Sequence, residues 1–503
     1  MDSLVKDPEY FPQVTLSTPI DIDWAGGITH ANVQHAVNSL LGRHFVHSSS
    51  LPTKSVDQDD RLALFNVLTD VLPSMSSRTK LFWTRAGRPF SQMLHTAQMS
   101  LTTQCTYLVF VYARVLGFLP DKGTGPPACL TLDGSPIEFS WIIPRKKIAK
   151  GHANRDVRII MEPFDPRGSG YMLKGSSVLE YFASYAGSLG GVVQCDWDGL
   201  LWVESAEGLF FPQEHKGDYI QDGGRFLVGL DFSSSGFVTL KAYVLSFEHA
   251  PWVRSVEKFK SPSPVCMTGL NLSPLRTLAG NIYPTFAESF DVLMGYINSL
   301  EPEQRHVYHF TSIDCKSPKD NRLKIYVLTL TRTNWSSIKE DFTLGGRMCS
   351  SQLDAALAAF ESFWNCMFPE SSSILDKPLR QLPIDVGDNH HPQGGLAYQY
   401  EFIPGDSMLF PKIYVPVSDG AASRALEDFY NSNGIQGPEG GEQGPGWVER
   451  EVAKSYNYRD LNERNGCRTY ISFGLKKSGW EVTSYFSPEI FASEHDKINP
   501  GTS

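Results

Sequence analysis

The sequence predicts an α/β protein in which pairs of antiparallel strands, set apart by helices, close into a β-barrel. Three observations lead there. Lys-x-Tyr recurs inside apolar, β-branched runs, as Lys241-Ala-Tyr243, Lys324-Ile-Tyr326 and Lys412-Ile-Tyr414, with the lysines 83 and 88 residues apart. Helical sequence separates the copies, so a helix–strand–strand–helix unit repeats about every 85 residues. The paired strands lack the long crossover that each parallel βαβ step needs, which favours antiparallel pairs with helices on the outer face. If the pairs close, apolar residues meet the helices and the alternate residues line a lumen.

The elements follow in order. Residues 1–58 mix Pro, Ser, Asp and His with little periodicity and read as an N-terminal extension. Residues 59–495 read as one barrel domain and 496–503 as a tail. Asp59-Asp60 caps a helix carrying Leu62, Phe65, Leu68 and Leu72 at helical spacing, and a longer helical region covers 90–116. Strand-like runs occupy 128–142, 157–163, 225–246, 306–315, 321–331, 397–404, 411–417 and 467–486. Helices are expected at 285–300, 352–366 and 419–433, the last opened by Asp419 and stopped by Asn433-Gly434. The Gly- and Pro-rich tract 436–446 cannot pack and reads as an exposed loop. The loop 388–394 reads the same way, its His390-His391 pair a solvated turn and not a metal site.

Composition narrows the function. No run of about 18 apolar residues exists, so a membrane span is not expected. Asp2, Asp7, Glu9, Asp21 and Asp23 leave no apolar signal core in the first thirty residues, and the eight cysteines stand singly without a CxxC pair. A cytoplasmic protein with buried thiols fits both. The net charge of −10 argues against a nucleic-acid partner, so any anion site must be a local concentration of cations.

The strand Asn321–Leu330 supplies one. Arg322, Lys324 and Tyr326 share a face, with Leu323, Ile325 and Val327 on the other. If the polar face lines a lumen, its cations need an anion, and no matching row of Asp or Glu is apparent on these strands; a bound diphosphate would satisfy them. Tyrosine faces beyond the diphosphate would then stabilise a carbocation formed as it leaves. Tyr470 and Tyr485 are placed to complete that ring. No DDxxD motif occurs, and Asp57-Gln-Asp-Asp60 has the wrong spacing.

A series of motifs agrees: Leu132-Asp-Gly-Ser-Pro-Ile-Glu138-Phe-Ser-Trp141, Val157-Arg158-Ile-Ile-Met-Glu-Pro163, Gly229-Leu-Asp-Phe232 followed by Leu240-Lys-Ala-Tyr243, and Asp314-Cys-Lys-Ser-Pro318 followed by Arg322-Leu-Lys-Ile-Tyr326 and Thr343-Leu-Gly-Gly346. Pro411-Lys-Ile-Tyr-Val-Pro416 and Tyr485-Phe-Ser-Pro488 close it. In this order, from about residue 60 to 490, the chain resembles the fungal aromatic (indole) prenyltransferases of the dimethylallyltryptophan synthase family. The resemblance implies an ABBA barrel: ten antiparallel strands built from ααββ units around a solvent-filled lumen. It implies transfer of a dimethylallyl group from dimethylallyl diphosphate to an indole ring in fungal secondary metabolism, with no cofactor or metal required. Arg158, Lys241, Arg322, Lys324 and Lys412 would bind the diphosphate, Tyr243, Tyr326, Tyr414, Tyr470 and Tyr485 would shield the cation, and Glu138 would hold the indole N–H. Glu162 is a rival partner for Arg158. Some tryptophan-directed members carry a lysine, proposed as the final base, where Val228 stands here. The expected partners are the aromatic acceptor and the prenyl diphosphate, without nucleic acid or membrane, and a homodimer is the candidate assembly. Another aromatic acceptor, or a non-catalytic barrel that binds an isoprenoid diphosphate, is the alternative.

Overall fold

The computed structural model describes residues 24, 27–41, 60–73, 75–120, 128, 130–131, 133–144, 156–165, 167, 172–184, 193–195, 202–206, 215–216, 219–220, 224–246, 272–329, 332–368, 396–417, 419–437, 442, 444–463, 466–493 and 495. Ten long strands form the barrel: β1 (Ile137–Pro144), β2 (Asp156–Met161), β3 (Gly224–Phe232), β4 (Val238–Ser246), β5 (Val307–Asp314), β6 (Leu323–Thr329), β7 (Leu396–Phe402), β8 (Phe410–Pro416), β9 (Arg468–Lys476) and β10 (Gly479–Phe486). Each pairs antiparallel with the next in sequence, and β10 returns to β1 through Phe139 opposite Phe486 and Ser140 opposite Tyr485. The closed meander leaves none of these strands as an open edge. A short parallel strand, Val193–Gln194, adds to the start of β4.

Strand alternation separates two environments. Ile159, Leu240, Ala242, Leu323, Ile325, Val327, Ile413 and Phe473 belong to the large core packed between barrel and helices. Ile160, Leu227, Tyr243 and Tyr326 form a separate apolar cluster, touched by Leu130, Phe310 and Tyr414, on the inside. The sequence expectation of a helix-facing and a lumen-facing side is thus observed strand by strand.

The helices surround this barrel. They are α1 (His30–Leu41), α2 (Ala63–Val71), α3 (Ser77–Phe82), α4 (Arg88–Thr96), α5 (Leu101–Phe110), α6 (Gly175–Ser184), α7 (Ser273–Ile282), α8 (Pro284–Ser299), α9 (Trp335–Thr343), α10 (Ser351–Met367), α11 (Asp419–Ser432) and α12 (Trp447–Ser455). Two helices and two strands alternate from α7 onward, in the order α7-α8-β5-β6, α9-α10-β7-β8 and α11-α12-β9-β10. Caps set their starts: Ser350 Oγ accepts from Leu353 N at 3.1 Å before α10, and Asn334 Oδ1 from Ser337 N at 2.8 Å before α9. Asp60 Oδ1 accepts from Leu62 N at 2.9 Å just ahead of α2; Asp59 lies outside the described residues.

Two sequence expectations change. The stretch read as aperiodic contains α1, whose Val33, Ala36, Val37, Leu40 and Leu41 are buried in the main core. Their spacing is helical, but histidines and asparagines between them dilute the pattern. The helical region 90–116 is broken between α4 and α5, and the π-helical turns Trp83–Gly87 and Val111–Val115 flank those helices. The expected loop 388–394 and the tail 496–503 lie outside the described residues. Of the expected loop 436–446, Glu442 is tied back by Arg450 and Lys454.

Candidate active site

Alternation along each strand decides which side chains reach the lumen. β6 contributes Lys324 and Tyr326, with Arg322 just ahead of it; β4 contributes Lys241 and Tyr243; β8 contributes Lys412 and Tyr414. The three copies of Lys-x-Tyr therefore stand on three strands of one barrel. Arg158 on β2 joins them. A cavity of about 660 Å³ is bordered by Arg158, Lys241, Arg322, Lys324, Lys412 and Lys476, and by Tyr243 and Tyr326. All five cations named from sequence thus meet around one space. Lys477 borders it as well, and Lys476 is a further cation that the motif reading passed over. It shares the inward face of β9 with Tyr470, and the period of two in that run is the signal that marks it.

The expectation that these cations lack carboxylate partners is overturned. Asp231 binds both Arg158 and Lys241. Asp314 accepts from Arg322 Nε and Lys324 Nζ, each at 2.7 Å. Glu401 accepts from Arg322 Nη1 at 2.8 Å and also from Lys476. Glu481 pairs with Lys412 at 2.7 Å. Lys477, which also borders the cavity, pairs with Asp406 at 3.3 Å, and Asp156 adds a further carboxylate to the lining, so the cations of this cluster are largely matched by carboxylates. Glu162, the rival partner for Arg158, instead accepts from the Leu130 backbone at 3.1 Å. The carboxylates were hidden because each lies on a different strand, and only strand pairing sets them against the cations: Asp231 is opposite Arg158, Glu401 opposite Lys324, and Glu481 opposite Gly474.

Charge and burial compete here. Burial would raise each carboxyl, but Arg158 and Lys241 hold Asp231 below the usual range, and Arg322, Lys324 and Lys241 do the same for Asp314. Glu481 falls to about 2 beside Lys412 and Lys476, despite its burial. Burial and the neighbouring Arg158 push the Lys241 ammonium below the ordinary lysine range, against the pull of Asp231 and Asp314. Glycine makes room for these lysines. A Cβ on Gly474 would meet Lys412 Cε at 2.8 Å, and one on Gly229 would meet Lys241 Cβ at 3.2 Å and Tyr243 Cε2 at 3.0 Å.

Next to the charged cluster lies an aromatic one. Tyr243 and Tyr326 are 6.3 Å apart between ring centroids, Tyr326 and Tyr414 5.9 Å, Tyr414 and Tyr485 5.5 Å, and Tyr414 and Tyr470 6.3 Å. All five tyrosines named from sequence are connected. Phe310, unmarked in the sequence, stacks on Tyr326 at 3.9 Å beside the β-bulge opposite Tyr326 and Val327. The Tyr414 hydroxyl donates to Gln399 Oε1 at 2.9 Å.

Glu138 shares the inward face of β1 with Ser140 and Ile142. Like Tyr414, Tyr470 and Tyr485, it does not border the 660 Å³ cavity, which is lined at that strand by Ile142. Thr469 donates to Glu138 Oε1 at 2.5 Å across the junction of the barrel's two ends. A bulge between Arg468 and Tyr470 accompanies this contact. Buried almost completely, Glu138 is pushed up to about 8, partly offset by the Thr469 hydroxyl. Val228 faces the helix-side core, so a side chain there does not enter the lumen.

A barrel with cations, tyrosines and one deep carboxyl group now has a family to be set beside. Residues 78–441 match the tryptophan dimethylallyltransferase family. The chain belongs to that family. It is an aromatic prenyltransferase. Among its relatives, the 7-dimethylallyltryptophan synthase of Aspergillus fumigatus is 23% identical over 468 residues, covering 86% of this chain and 90% of that one. Xanthone prenyltransferase A of Emericella nidulans is 25% identical over 481 residues, covering 88% and 98%. The solved structure of NotF with brevianamide F and DMSPP has the same fold, with a TM-score of 0.60 at 21% identity, over 84% of this chain and 97% of that one. The closed ten-stranded barrel ringed by helices is accordingly the ABBA prenyltransferase architecture. Among the described residues no helix is long and apolar enough to cross a membrane.

Proposed function

We propose that this prenyltransferase moves a dimethylallyl group from dimethylallyl diphosphate to the indole ring of a tryptophan derivative or a tryptophan-containing cyclic dipeptide, with lumen cations doing the work a metal does elsewhere. The observation that carries the reading is three groups inside one barrel: the cations around the cavity, the five linked tyrosines of which Tyr243 and Tyr326 border it, and the buried Glu138 on β1. Arg158, Lys241, Arg322, Lys324 and Lys412, with Lys476, hold the diphosphate oxygens. As the allylic C–O bond breaks, its electron pair leaves with diphosphate, and fixed positive charge stabilises the developing anion. Tyr243, Tyr326, Tyr414, Tyr470 and Tyr485 present ring faces to the allylic cation and keep water from it. Glu138 accepts a hydrogen bond from the indole N–H and orients the ring, a ring carbon bonds to the cation, and loss of the proton on that carbon restores aromaticity.

The test is incubation with dimethylallyl diphosphate and a panel of indoles, with and without EDTA, read by mass spectrometry. A prenylated indole at equal yield in both arms is the expected outcome. Loss of product on chelation would remove the metal-free mechanism, and absence of product with every indole would remove the acceptor class.

One observation favours a second acceptor chemistry. With its affinity for protons raised to about 8, Glu138 is largely a carboxylic acid at neutral pH and donates a hydrogen bond to a carbonyl or phenol oxygen. An oxygenated aromatic acceptor is the alternative, and xanthone is named for one relative.

A further inference from the structure

The proposed function gives the lumen carboxylates no role, and Glu401 has the most pointed placement. It lies on β7 opposite Lys324 of β6, and its two oxygens are both engaged, by Arg322 Nη1 at 2.8 Å and by Lys476. Its own side chain is only 1% exposed, whereas Arg322 is 31% exposed and Lys476 18%. The carboxylate therefore grips both cations from beneath while their outer faces stay open to the cavity that all three border.

We propose that Glu401 is a resident counter-ion that weakens the hold of the cation cluster on diphosphate and so sets how readily product diphosphate leaves. This rests on the reading that diphosphate occupies the cavity. Such a cluster of cations alone would bind a polyanion tightly and release it slowly, which serves capture but not turnover. Glu401 takes one hydrogen-bonding position from each of two donors and cancels one unit of charge. It also repels the bound diphosphate, and because its own side chain is buried that repulsion is screened less than in water. Asp314 is differently placed, since it grips Arg322 and Lys324 but does not border the cavity. Glu481 holds Lys412 at 2.7 Å and also reaches Lys476 at 3.7 Å, so altering Glu401 leaves both lysines with a carboxylate.

The experiment compares full-length wild type with Glu401→Gln by calorimetric titration with inorganic diphosphate, beside steady-state kinetics with dimethylallyl diphosphate. Glu401→Gln is expected to bind diphosphate at least about tenfold more tightly, to show a lower donor KM and a lower kcat, and to be inhibited by lower product concentrations. A residue that merely supports the fold would not tighten a ligand when removed. Equal or weaker diphosphate binding by folded Glu401→Gln overturns the proposal. If that variant does not fold, Glu401→Asp carries the test: one methylene shorter, it keeps the charge but not the span between Arg322 and Lys476. About threefold tighter binding then supports the proposal, and unchanged or weaker binding overturns it. Wild type that fails to bind inorganic diphosphate would overturn the cavity reading itself, a result distinct from wild type that binds while the variants do not tighten.

Discussion

At the scale of single residues, charge state decides the chemistry. Glu138 at about 8 implies a pH signature for each acceptor class. If the carboxylate receives an indole N–H, kcat/KM rises with pH through about 8; if the acid donates to an oxygen, it falls across the same range. A pH–rate profile of wild type against Glu138→Gln checks this, because the amide abolishes the dependence. Lys324→Ala is expected to lower kcat/KM about 100-fold, the scale for loss of one fixed donor to a developing anion. Its partner Asp314 would then keep Arg322 as its ion pair, with Lys241 on the neighbouring strand opposite it. Single-turnover kinetics would locate the loss in chemistry. Alternation and repetition made Lys324, Tyr326 and their counterparts visible in the sequence. Asp231, Asp314 and Glu481 were also in plain sight, but their meaning depends on which strand lies beside which.

At the scale of elements, β8 and β9 show how a site is held by what is missing. Lys412 lies opposite Gly474, and the absent Cβ leaves its stem a path to Glu481. Gly474→Ala would place a methyl 2.8 Å from Lys412 Cε, so the lysine must move. A loss of about 1–3 kcal/mol in stability is expected, the range for overpacking a filled interior. Donor KM should rise more than acceptor KM, and thermal melts with a two-substrate kinetic grid would show both; unchanged donor KM would exclude a positioning role. The run 128–142 becomes strand only at Ile137, and the runs 225–246 and 467–486 each divide into two strands. Several strands and later helices were readable almost to their ends, as 411–417 against Phe410–Pro416 and 285–300 against Pro284–Ser299. Their patterns are long and strongly periodic. Helix α1 was not, because its apolar stripe is short and interrupted by polar residues.

At the scale of the whole molecule, the lumen couples folding to pH from both directions. Asp231, Asp314, Glu401 and Glu481 all bind protons less readily than ordinary carboxylates, because the cations hold them ionised. The unfolded chain takes up those protons first as pH falls, so their contribution is full above about 4.5 and is lost on acidification. Glu138 has the opposite sign: its raised affinity favours the folded protein below its ordinary value, and that contribution fades as pH rises through about 8. The depressed Lys241 ammonium opposes this, since its contribution grows as pH rises, so the Glu138 share is read as the difference between wild type and variant melting temperatures across the alkaline limb. Glu138→Gln should flatten the alkaline limb, and an unchanged alkaline limb would contradict the assignment. The number of strands and the joining of β10 to β1 came from the family resemblance, since no periodicity in one chain reveals which strand closes on which.

That closure has a consequence in time. Thr469 and Glu138 are 331 residues apart, so the deepest part of the site exists only after the final strand pair has been made and joined to the first. Contacts so distant along the chain form late and slowly. During synthesis the earlier strands must wait with their pairing edges uncovered, and the interval before the last strand arrives is when the protein is most exposed to aggregation.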